Sequence, residues 1–428
     1  MQNRKKLFIL IVILFILITF TIRLVPLRTS HWWDETVYLQ NAEIIYSGSE
    51  SYNEWNFRPP LLSILITGIF YIWHNVFVVS ILIALICTLL PIFAYLIGNE
   101  LYDKKTGIIA AIITAFTPFI VLNSNYIMTD VPAITLASIS FYFLIKKNNS
   151  NINNLLSGAF LALAILMKFT SLVIIPIYII YFIINKKRLE KIIYFISGFS
   201  VVLMPYLLWV HITQGYFLEL FIKSQKMVTD NNENLFYYLK NIANVFTYIV
   251  FAGVIAWIIK SRKKRIDIVF ISWIIIFILY LSINPHKELR YAIPIILPLS
   301  LISARGMGSL INNKNRNYTI PLLSILFLLS FYPSLNNIIN EPFIYHTTTD
   351  EIEASSYIKN NYNNITIYTH YNYPVFAYYT QLKTLKIDKN NINPGIFIIY
   401  NNSEYMELTK DMVIIKKYPQ FSIYEYLR

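Results

Sequence analysis

The chain has 428 residues, of which 56% are hydrophobic and only 14% are charged. Water-soluble domains carry about 25% charged residues, so this composition excludes a soluble globular protein and indicates one that crosses a membrane many times. The formal net charge of +13 falls in short basic clusters between apolar runs, which is typical of cytoplasmic loops and argues against a nucleic-acid-binding surface. The single cysteine, Cys87, lies within an apolar run, which excludes a disulfide framework and a cysteine-based metal site.

The basic clusters predict how the chain is threaded through a cell membrane. They lie at residues 4–6, 104–105, 146–147, 186–188 with Lys191, 260–265, and Arg305 with Lys314 and Arg316. If all six are cytoplasmic, the N-terminus is cytoplasmic too, and the first helix, residues 7–26, places residues 30–60 outside. We interpret this helix as retained, because its apolar core is longer than that of a signal peptide and no small-residue cleavage site follows.

Two apolar runs lie between this outer stretch and Lys104. The second, residues 76–101, is long enough to span the membrane. The first, residues 61–73, is about 20 Å long as a helix, which is too short for a hydrocarbon core of about 30 Å. We therefore expect residues 61–73 to be re-entrant or to lie flat at the outer interface, so that the outer stretch 27–75 contains interfacial helices.

Lys168 lies in the middle of a long apolar segment, residues 155–184. Both flanks of this segment are polar or basic and are predicted to be cytoplasmic, so the segment must leave and return. A segment that starts and ends on the cytoplasmic side must turn on the outer side. Lys168, at its middle, is therefore predicted to lie at this outer turn between two short half-spans. A lysine in this position would be costly if it faced lipid, and it normally faces a cavity or the interface.

The remaining apolar runs complete about eleven crossings. Residues 107–124, 192–211, 266–283 and 318–337 are predicted to lead outward, and residues 131–145, 242–259 and 291–304 to return. The predicted fold class is a polytopic α-helical membrane protein, with a transmembrane domain at residues 1–337 and a small extracytoplasmic α/β domain at residues 338–428. In the latter, residues 350–360 predict a helix, and residues 364–371 and 394–400 predict strands.

Ionisable residues from separate stretches fall together on the predicted outer side. They are Asp34, Glu35, Arg58, Asp130, Lys168, His286, Lys287, Glu288 and Arg290. Each has an ordinary structural interpretation. The acids lie at predicted helix starts, where the helix dipole stabilises a carboxylate, and the cations are of a kind common at membrane interfaces. As a group they also suit a reaction in which cations stabilise charge on a departing lipid phosphate and a carboxylate accepts a proton from a hydroxyl nucleophile.

Five segments, in order along the chain, carry a resemblance to a known family. They read WWDETVYLQNAEIIYSG followed by RPPLL, then MTDVPAITL, then GAFLALAILMKFTSLVIIP, then HKELRYAIPIILPLSLISARG. With these segments the chain resembles the membrane glycosyltransferases of the GT-C superfamily. It is most similar to the branch that contains the dolichyl-phosphate-mannose–protein mannosyltransferases and the aminoarabinose transferases.

The resemblance implies an inverting transfer of a sugar from a polyprenyl-phosphate donor to an acceptor on the outer side of the membrane. It implies Asp34 as the catalytic acid of the first outer loop, with Glu35 beside it and Asp130 as a second acidic site. The residues that match its lipid-phosphate site are Arg58, Lys168, Arg290 and Tyr291. The sequence departs from the protein mannosyltransferases in having no stretch long enough for their lumenal β-trefoil domain, which leaves the acceptor open between protein, lipid and glycan.

Other functions stay open at this point. An oligosaccharide ligase or oligosaccharyltransferase would use a pyrophosphate-linked glycan, and the latter would carry Trp-Trp-Asp in its outer C-terminal domain, whereas here that motif is at residues 32–34. A transporter or flippase would place charges near the bilayer midplane and show related halves, and a non-catalytic scaffold would predict no convergence of charged residues. A divalent cation is left open as a cofactor, with Asp34, Asp130 and His286 as candidate ligands.

Overall fold

The structure is a computed structural model that describes residues 2–24, 30–49, 51–55, 57–148, 150–226, 233–261, 264–311, 347–401 and 403–427. The chain forms two compact units. The first comprises Met1–Pro26, Phe57–Leu61 and Phe77–Pro342, and the second comprises Leu27–Asn56, Leu62–Val76 and Phe343–Arg428. The second unit therefore combines most of the predicted first outer stretch with the C-terminal part of the chain.

Helices account for most of the described residues. In chain order they are α1 (Gln2–Leu24), α2 (Trp33–Ser47), α3 (Pro60–Ile72), α4 (Val76–Leu101), α5 (Lys104–Phe116), α6 (Pro118–Ser124), α7 (Asp130–Ile145), α8 (Asn151–Met167), α9 (Ile175–Ile184), α10 (Leu189–Gln214), α11 (Glu219–Lys226), α12 (Tyr237–Val245), α13 (Tyr248–Lys260), α14 (Arg265–Ile283), α15 (Ile296–Leu310), α16 (Thr349–Asn361) and α17 (Tyr373–Thr380). Short 3-10 helices occupy Phe169–Ile174, Leu289–Ile295 and Met406–Asp411. The helix predicted at residues 318–337 lies outside the described residues.

Within the described ranges, four helical stretches are long and apolar enough to cross a membrane. They are α4, α10, α14 and the continuous stretch Leu289–Leu310. The number rises to six if each of two bent pairs is one span, namely α5 with α6, bent by 57°, and Tyr237–Ala243 with α13, bent by 103°. The polytopic helical fold class is thus confirmed, whereas eleven crossings and the orientation of the termini stay predictions.

Short polar side chains set the starts of several helices. The first amides of a helix have no intrahelical partner, and Asp103 accepts one of these N–H groups in α5 at 2.8 Å while Ser150 accepts one in α8 at 3.3 Å. At the start of α16, Glu351 accepts the N–H of Thr348 at 2.8 Å and Thr348 accepts the N–H of Glu351 at 3.3 Å, a reciprocal capping box. These caps explain why α5, α8 and α16 each begin directly after a short polar residue.

Glycines allow two helix pairs of the first unit to approach until their backbones touch. A Cβ atom on Gly198 of α10 would lie 1.9 Å from the carbonyl oxygen of Leu155 in α8. A Cβ atom on Gly306 of α15 would lie 1.9 Å from the carbonyl oxygen of Gly253 in α13. Since lipid tails are as apolar as the helices, such close van der Waals packing is what holds membrane helices together.

The long apolar segment 155–184 breaks at Lys168, as the sequence predicts. Helix α8 ends at Met167, Lys168 itself is extended (φ −153°, ψ 119°), and the chain continues through the 3-10 helix Phe169–Ile174 into α9. The break places the lysine at a helix end instead of within a continuous span.

The first outer stretch forms two packed helices in the second unit. Helix α3 has 13 residues, so the short helix predicted from residues 61–73 is confirmed, and its re-entrant or interfacial placement stays a prediction. The hydroxyl groups of Ser63 and Thr67 in α3 donate to the backbone carbonyls of Tyr38 and Ala42 in α2, at 3.1 and 3.3 Å. These bonds fix the rotation of α2 about its axis.

The C-terminal part of the second unit is a small α/β domain, as predicted. Its five-stranded sheet has the order β2–β1–β3–β5–β4, with β1 at Ile367–Thr369, β2 at Thr384–Lys386, β3 at Gly395–Tyr400, β4 at Val413–Lys417 and β5 at Phe421–Tyr426. Strand β1 is parallel to β2 and β3, whereas β5 is antiparallel to β3 and β4. Helices α16 and α17 supply Ala354, Ile358 and Phe376 to the core beside the sheet. The predicted boundary between residues 337 and 338 lies outside the described residues.

Candidate active site

An ion pair joins the start of α7 to the end of α8. Asp130 is the first residue of α7, where the helix dipole stabilises a carboxylate, and only 3% of it is exposed. Its Oδ1 accepts a hydrogen bond from the ammonium group of Lys168, which is also largely buried. The pair explains how a lysine is accommodated within an apolar segment, because its charge is compensated inside the protein.

Tyr291 links this pair to a second cation. It belongs to the 3-10 helix Leu289–Ile295, and its ring centroid lies 4.7 Å from Nζ of Lys168 and 5.5 Å from Cζ of Arg290. Cations at these distances are attracted by the electron density of the aromatic ring. The ring therefore holds two positive charges in one neighbourhood, which their mutual repulsion would otherwise oppose.

Arg290 and Glu288 form a bidentate ion pair. Nε and Nη2 of Arg290 donate to Oε2 and Oε1 of Glu288 at 2.5 and 3.0 Å, and Nη1 lies 3.7 Å from Sδ of Met128. Nε2 of His286 lies 2.7 Å from Oε1 of Glu288. Two-point pairing fixes the plane of a guanidinium group as well as its position. Asp130, Lys168, His286, Glu288, Arg290 and Tyr291 thus form one connected group, which we call the charged cluster.

The electrostatics of Glu288 follow from its surroundings. Burial by itself raises the pKa of this carboxyl group, but the charge of Arg290 and the hydrogen bonds from His286 and Arg290 outweigh burial and hold the pKa well below its usual range. Glu288 therefore stays ionised and keeps Arg290 oriented across the ordinary range of pH.

Tyr238 supports the charged cluster and was not singled out from the sequence. Its hydroxyl group donates to the backbone carbonyl of Glu288 at 3.1 Å and accepts the N–H of the same residue at 3.2 Å. Tyr238 lies on α12, and only 2% of it is exposed. The spacing of Tyr238, Ile242 and Val245 on one helical face is the signal that predicts a buried side here, although it does not predict what Tyr238 contacts.

Asp34 and Glu35 lie in the first turn of α2, in the second unit, and both are buried. Oε2 of Glu35 accepts the backbone N–H of Trp32 at 2.9 Å, so Glu35 has the helix-capping role that is the ordinary interpretation of an acid at this position. Nδ1 of His31 lies 3.9 Å from Oε1 of Glu35. Glu35 is therefore held at the start of the helix by its capping bond.

The C-terminal domain holds the start of α2 within the second unit. The N–H of His31 donates to the hydroxyl oxygen of Tyr379 at 2.8 Å, and the hydroxyl group of Thr347 donates to the carbonyl of His31 at 2.6 Å. Further along α2, Nε2 of Gln40 donates to the carbonyl of Pro374 at 2.9 Å. The position of Asp34 thus depends on residues more than 300 positions later in the chain, a dependence for which the sequence carries no signal.

The structure therefore brings together six of the residues selected from the sequence: Asp130, Lys168, His286, Glu288, Arg290 and Tyr291. Arg58 lies in the first unit directly before α3 and is partly buried, while Asp34 and Glu35 belong to the second unit. Among the described residues, no three His, Cys, Asp or Glu side chains are grouped so that they could hold a metal ion.

Residues 57–209 match the family model of the dolichyl-phosphate-mannose–protein mannosyltransferases. No curated protein sequence matches the chain.

Solved structures are similar over almost the whole chain. ArnT from Cupriavidus metallidurans, solved with bound undecaprenyl phosphate, is 12% identical with a TM-score of 0.76, over 96% of this chain and 97% of ArnT. The oligosaccharyltransferase AglB from Archaeoglobus fulgidus, solved with an inhibitory peptide and a dolichol-phosphate, is 10% identical with a TM-score of 0.60, over 91% of this chain and 69% of AglB. The arabinofuranosyltransferase AftD from mycobacteria is 12% identical with a TM-score of 0.58, over 96% of this chain and 41% of AftD. At these identities the matches show a shared fold, and they confirm the resemblance predicted from the sequence.

Proposed function

We propose that this chain, which has the fold of the GT-C membrane glycosyltransferases, is an inverting glycosyltransferase that moves a sugar from a polyprenyl phosphate to an acceptor outside the cytoplasm. The observation that carries the proposal is the charged cluster. Residues from three separate segments, at Asp130, at Lys168 and at 286–291, are in contact through buried side chains. Buried charges that a fold assembles from distant segments are candidates for a functional site.

The cations of the cluster suit the phosphate of the donor. A lysine ammonium has three N–H donors and an arginine guanidinium has five. Lys168 and Arg290 are thus able to retain Asp130 and Glu288 as partners while donating to phosphate oxygens. As the bond to the sugar breaks, negative charge grows on the phosphate, and fixed cations in a water-poor site stabilise that charge. The support for a polyprenyl-phosphate donor is the shared fold with ArnT, which was solved with undecaprenyl phosphate.

Asp34 is the proposed general base. Its carboxylate accepts the proton of an acceptor hydroxyl group while the oxygen attacks the anomeric carbon of the sugar. The bond between that carbon and the phosphate oxygen breaks, and its electron pair leaves with the lipid phosphate. One displacement inverts the configuration at the anomeric carbon. Asp130 then acts as the orienting partner of Lys168, and Glu35 as the residue that fixes the start of α2.

The proposal is tested with purified full-length protein, undecaprenyl- or dolichyl-phosphate hexose as donor, and a membrane extract of the host as the source of acceptor. We expect release of free lipid phosphate together with a glycosylated product. Asp34→Asn should lower the rate by about 10²–10⁴-fold, the usual contribution of a general base. Asp411→Asn, the same substitution at an exposed site in the C-terminal domain, should retain the full rate. Both variants should elute and unfold like the unchanged protein.

Two results would redirect the assignment. Full turnover in a folded Asp34→Asn variant would remove Asp34 from the role of base. Turnover with a pyrophosphate-linked glycan, but with none of the monophosphate donors, would favour an oligosaccharyltransferase or a ligase. The oligosaccharyltransferase AglB has a fold similar to that of this chain. Movement of the lipid-linked sugar across vesicles without any cleavage would favour a flippase.

A further inference from the structure

A cavity of about 580 Å³ opens in the first unit between the end of α9 and the start of α10. It is lined by Tyr181, Asn185, Lys186, Lys187, Arg188 and Lys191. Four of these six residues are cations and none is an acid. Within the described part of the chain, none of the four cations forms an ion pair. In this respect the cavity differs from the charged cluster, where Lys168 and Arg290 each have a carboxylate partner.

The turn between the two helices holds the basic side chains around the cavity. Lys186 adopts a left-handed backbone conformation, with φ at 45°, which is uncommon for a residue with a side chain. The N–H of Lys187 donates to the carbonyl of Phe182 at 3.1 Å, and Nδ2 of Asn185 donates to the carbonyl of Tyr181 at 2.9 Å. The chain therefore reverses within a few residues, and the turn brings three consecutive cations, Lys186, Lys187 and Arg188, to one place.

The electrostatic field in the cavity favours an anion. Burial and the charge of Lys191 lower the pKa of Lys187, as expected for cations without a counter-charge. Nδ2 of Asn151 donates to the neighbouring acid, Glu190, at 2.7 Å, and Glu190 does not line the cavity. The N-cap residue of α10, Arg188, supplies no side-chain cap. The positive end of the helix dipole therefore adds to the field of the four cations, and Glu190 in the first turn offsets part of it.

The surroundings of the cavity are those of a membrane interface. Helix α10 is long and apolar enough to span a membrane, and the cavity lies at its first residue. Directly beside the cations, apolar side chains are open to the exterior: Ile183 is 69% exposed and Leu189 is 71% exposed. An exposed apolar helix surface next to a cluster of cations is expected at the boundary between the acyl chains and the phosphate headgroups of a bilayer.

We propose that this cavity binds the phosphate of an anionic lipid headgroup, with the acyl or prenyl chain lying along the exposed apolar surface of Ile183 and Leu189. The chemistry that the site recognises is a phosphate ester attached to a hydrocarbon chain, as in phosphatidylglycerol or in a polyprenyl phosphate. The site uses residues separate from the charged cluster, so it does not depend on the catalytic proposal.

The experiment measures lipid binding to the full-length protein by native mass spectrometry and titration in detergent. Phosphatidylglycerol, undecaprenyl phosphate, phosphatidylcholine and inorganic phosphate are added in separate arms. We expect either or both anionic lipids to bind more tightly than phosphatidylcholine. The triple variant Lys186→Gln/Lys187→Gln/Arg188→Gln should weaken that binding by about a hundredfold, because each basic residue near an anionic headgroup contributes a factor of about five.

A control variant removes the same number of charges elsewhere. Lys104→Gln/Lys105→Gln/Lys147→Gln lies at other helix ends predicted to face the cytoplasm, and it should bind both anionic lipids as the unchanged protein does. Unchanged lipid binding in a folded 186–188 variant would overturn the proposal. So would an equal loss in the control, which would indicate general surface charge. Binding of inorganic phosphate as tight as that of either lipid would show a soluble anion as the ligand and would also overturn it.

Discussion

Lys168 and Arg290 each keep a carboxylate partner inside the first unit, so the charged cluster has a structural role beside its proposed chemical role. Removing one member of a buried pair leaves an uncompensated charge and destabilises a protein by about 3–5 kcal/mol. A loss of activity at Asp130 therefore does not by itself show a catalytic role, because Lys168 loses its partner at the same time. Asp34 lies outside this ion pair, so a loss of activity in an Asp34→Asn variant that folds normally tests the proposed role as base.

At the residue scale, Glu288 predicts a dependence of stability on pH. Its pKa in the folded protein lies below the ordinary value of 4.5, so the unfolded chain takes up a proton first as the pH falls. The stabilising contribution of Glu288 is therefore fully present well above pH 4.5 and is lost progressively as the pH falls below it. We expect the unfolding temperature of the unchanged protein to fall more steeply with acidification than that of Glu288→Gln.

The measurement is thermal unfolding in detergent between pH 7 and the lowest pH at which the protein stays soluble. Glu407→Gln removes an exposed carboxyl group of the C-terminal domain and should keep the steep dependence. Parallel curves for the unchanged protein and Glu288→Gln would show that Glu288 contributes no stability through its ion pair with Arg290.

At the scale of helices, backbone contact through glycine determines which spans pack together. Helices α8 and α10 meet at Gly158 and Gly198, where Cβ atoms would lie 1.9 Å from carbonyl oxygens of the facing helix. Such a distance is possible only if a backbone moves, because no rotation of a side chain relieves it. The packing of α8 against α10 also bears on two features of this protein, since Lys168 directly follows α8 and the basic cavity lies at the start of α10.

We therefore expect Gly198→Ala to destabilise the protein by at least about 1–3 kcal/mol, the range for overpacking in a protein interior. Thermal unfolding of the purified variant measures this loss. Gly308→Ala is the matched control: it lies on α15 in the same unit, and its Cβ atom would meet only Oγ1 of Thr106 at 3.6 Å, an ordinary contact. Equal unfolding temperatures for the two variants would show that α8 and α10 are not packed as described.

At the scale of the whole molecule, orientation follows from charge. The six basic clusters alternate with apolar runs in a pattern that predicts a cytoplasmic N-terminus and an extracytoplasmic C-terminal domain. The described helices are compatible with several spans, and the direction of each span depends on this charge bias alone. The proposed reaction needs the same orientation, because its acceptor lies outside the cytoplasm.

Cysteine labelling tests the orientation directly. The native Cys87 is buried, so it gives little background with a membrane-impermeant maleimide. Lys389→Cys, exposed in the C-terminal domain, should react in intact cells. Lys105→Cys, in a cluster predicted to be cytoplasmic, should react only after the membrane is opened. Reaction of Lys105→Cys in intact cells, with protection of Lys389→Cys, would reverse the predicted topology.

The sequence by itself determined the class of protein, the helical break at Lys168, the short helix after Arg58 and the small α/β domain at the C-terminal end. These features follow from local physics: the length of apolar runs, the energetic cost of a charge in lipid, and alternation in strands. It also selected the six members of the charged cluster, because charged residues are rare in such a chain and their order matched a known family.

Only the tertiary structure decided how those residues are paired. Four contacts illustrate this: Asp130 with Lys168, Tyr238 with Glu288, and both Tyr379 and Thr347 with His31 before α2. The residues in each contact lie between 38 and 348 positions apart in the sequence. Short-range periodicity carries no record of such contacts, since they form only when the helices pack. For the same reason, the sequence did not show that the cations at the start of α10 line a cavity and that no described acid forms an ion pair with them.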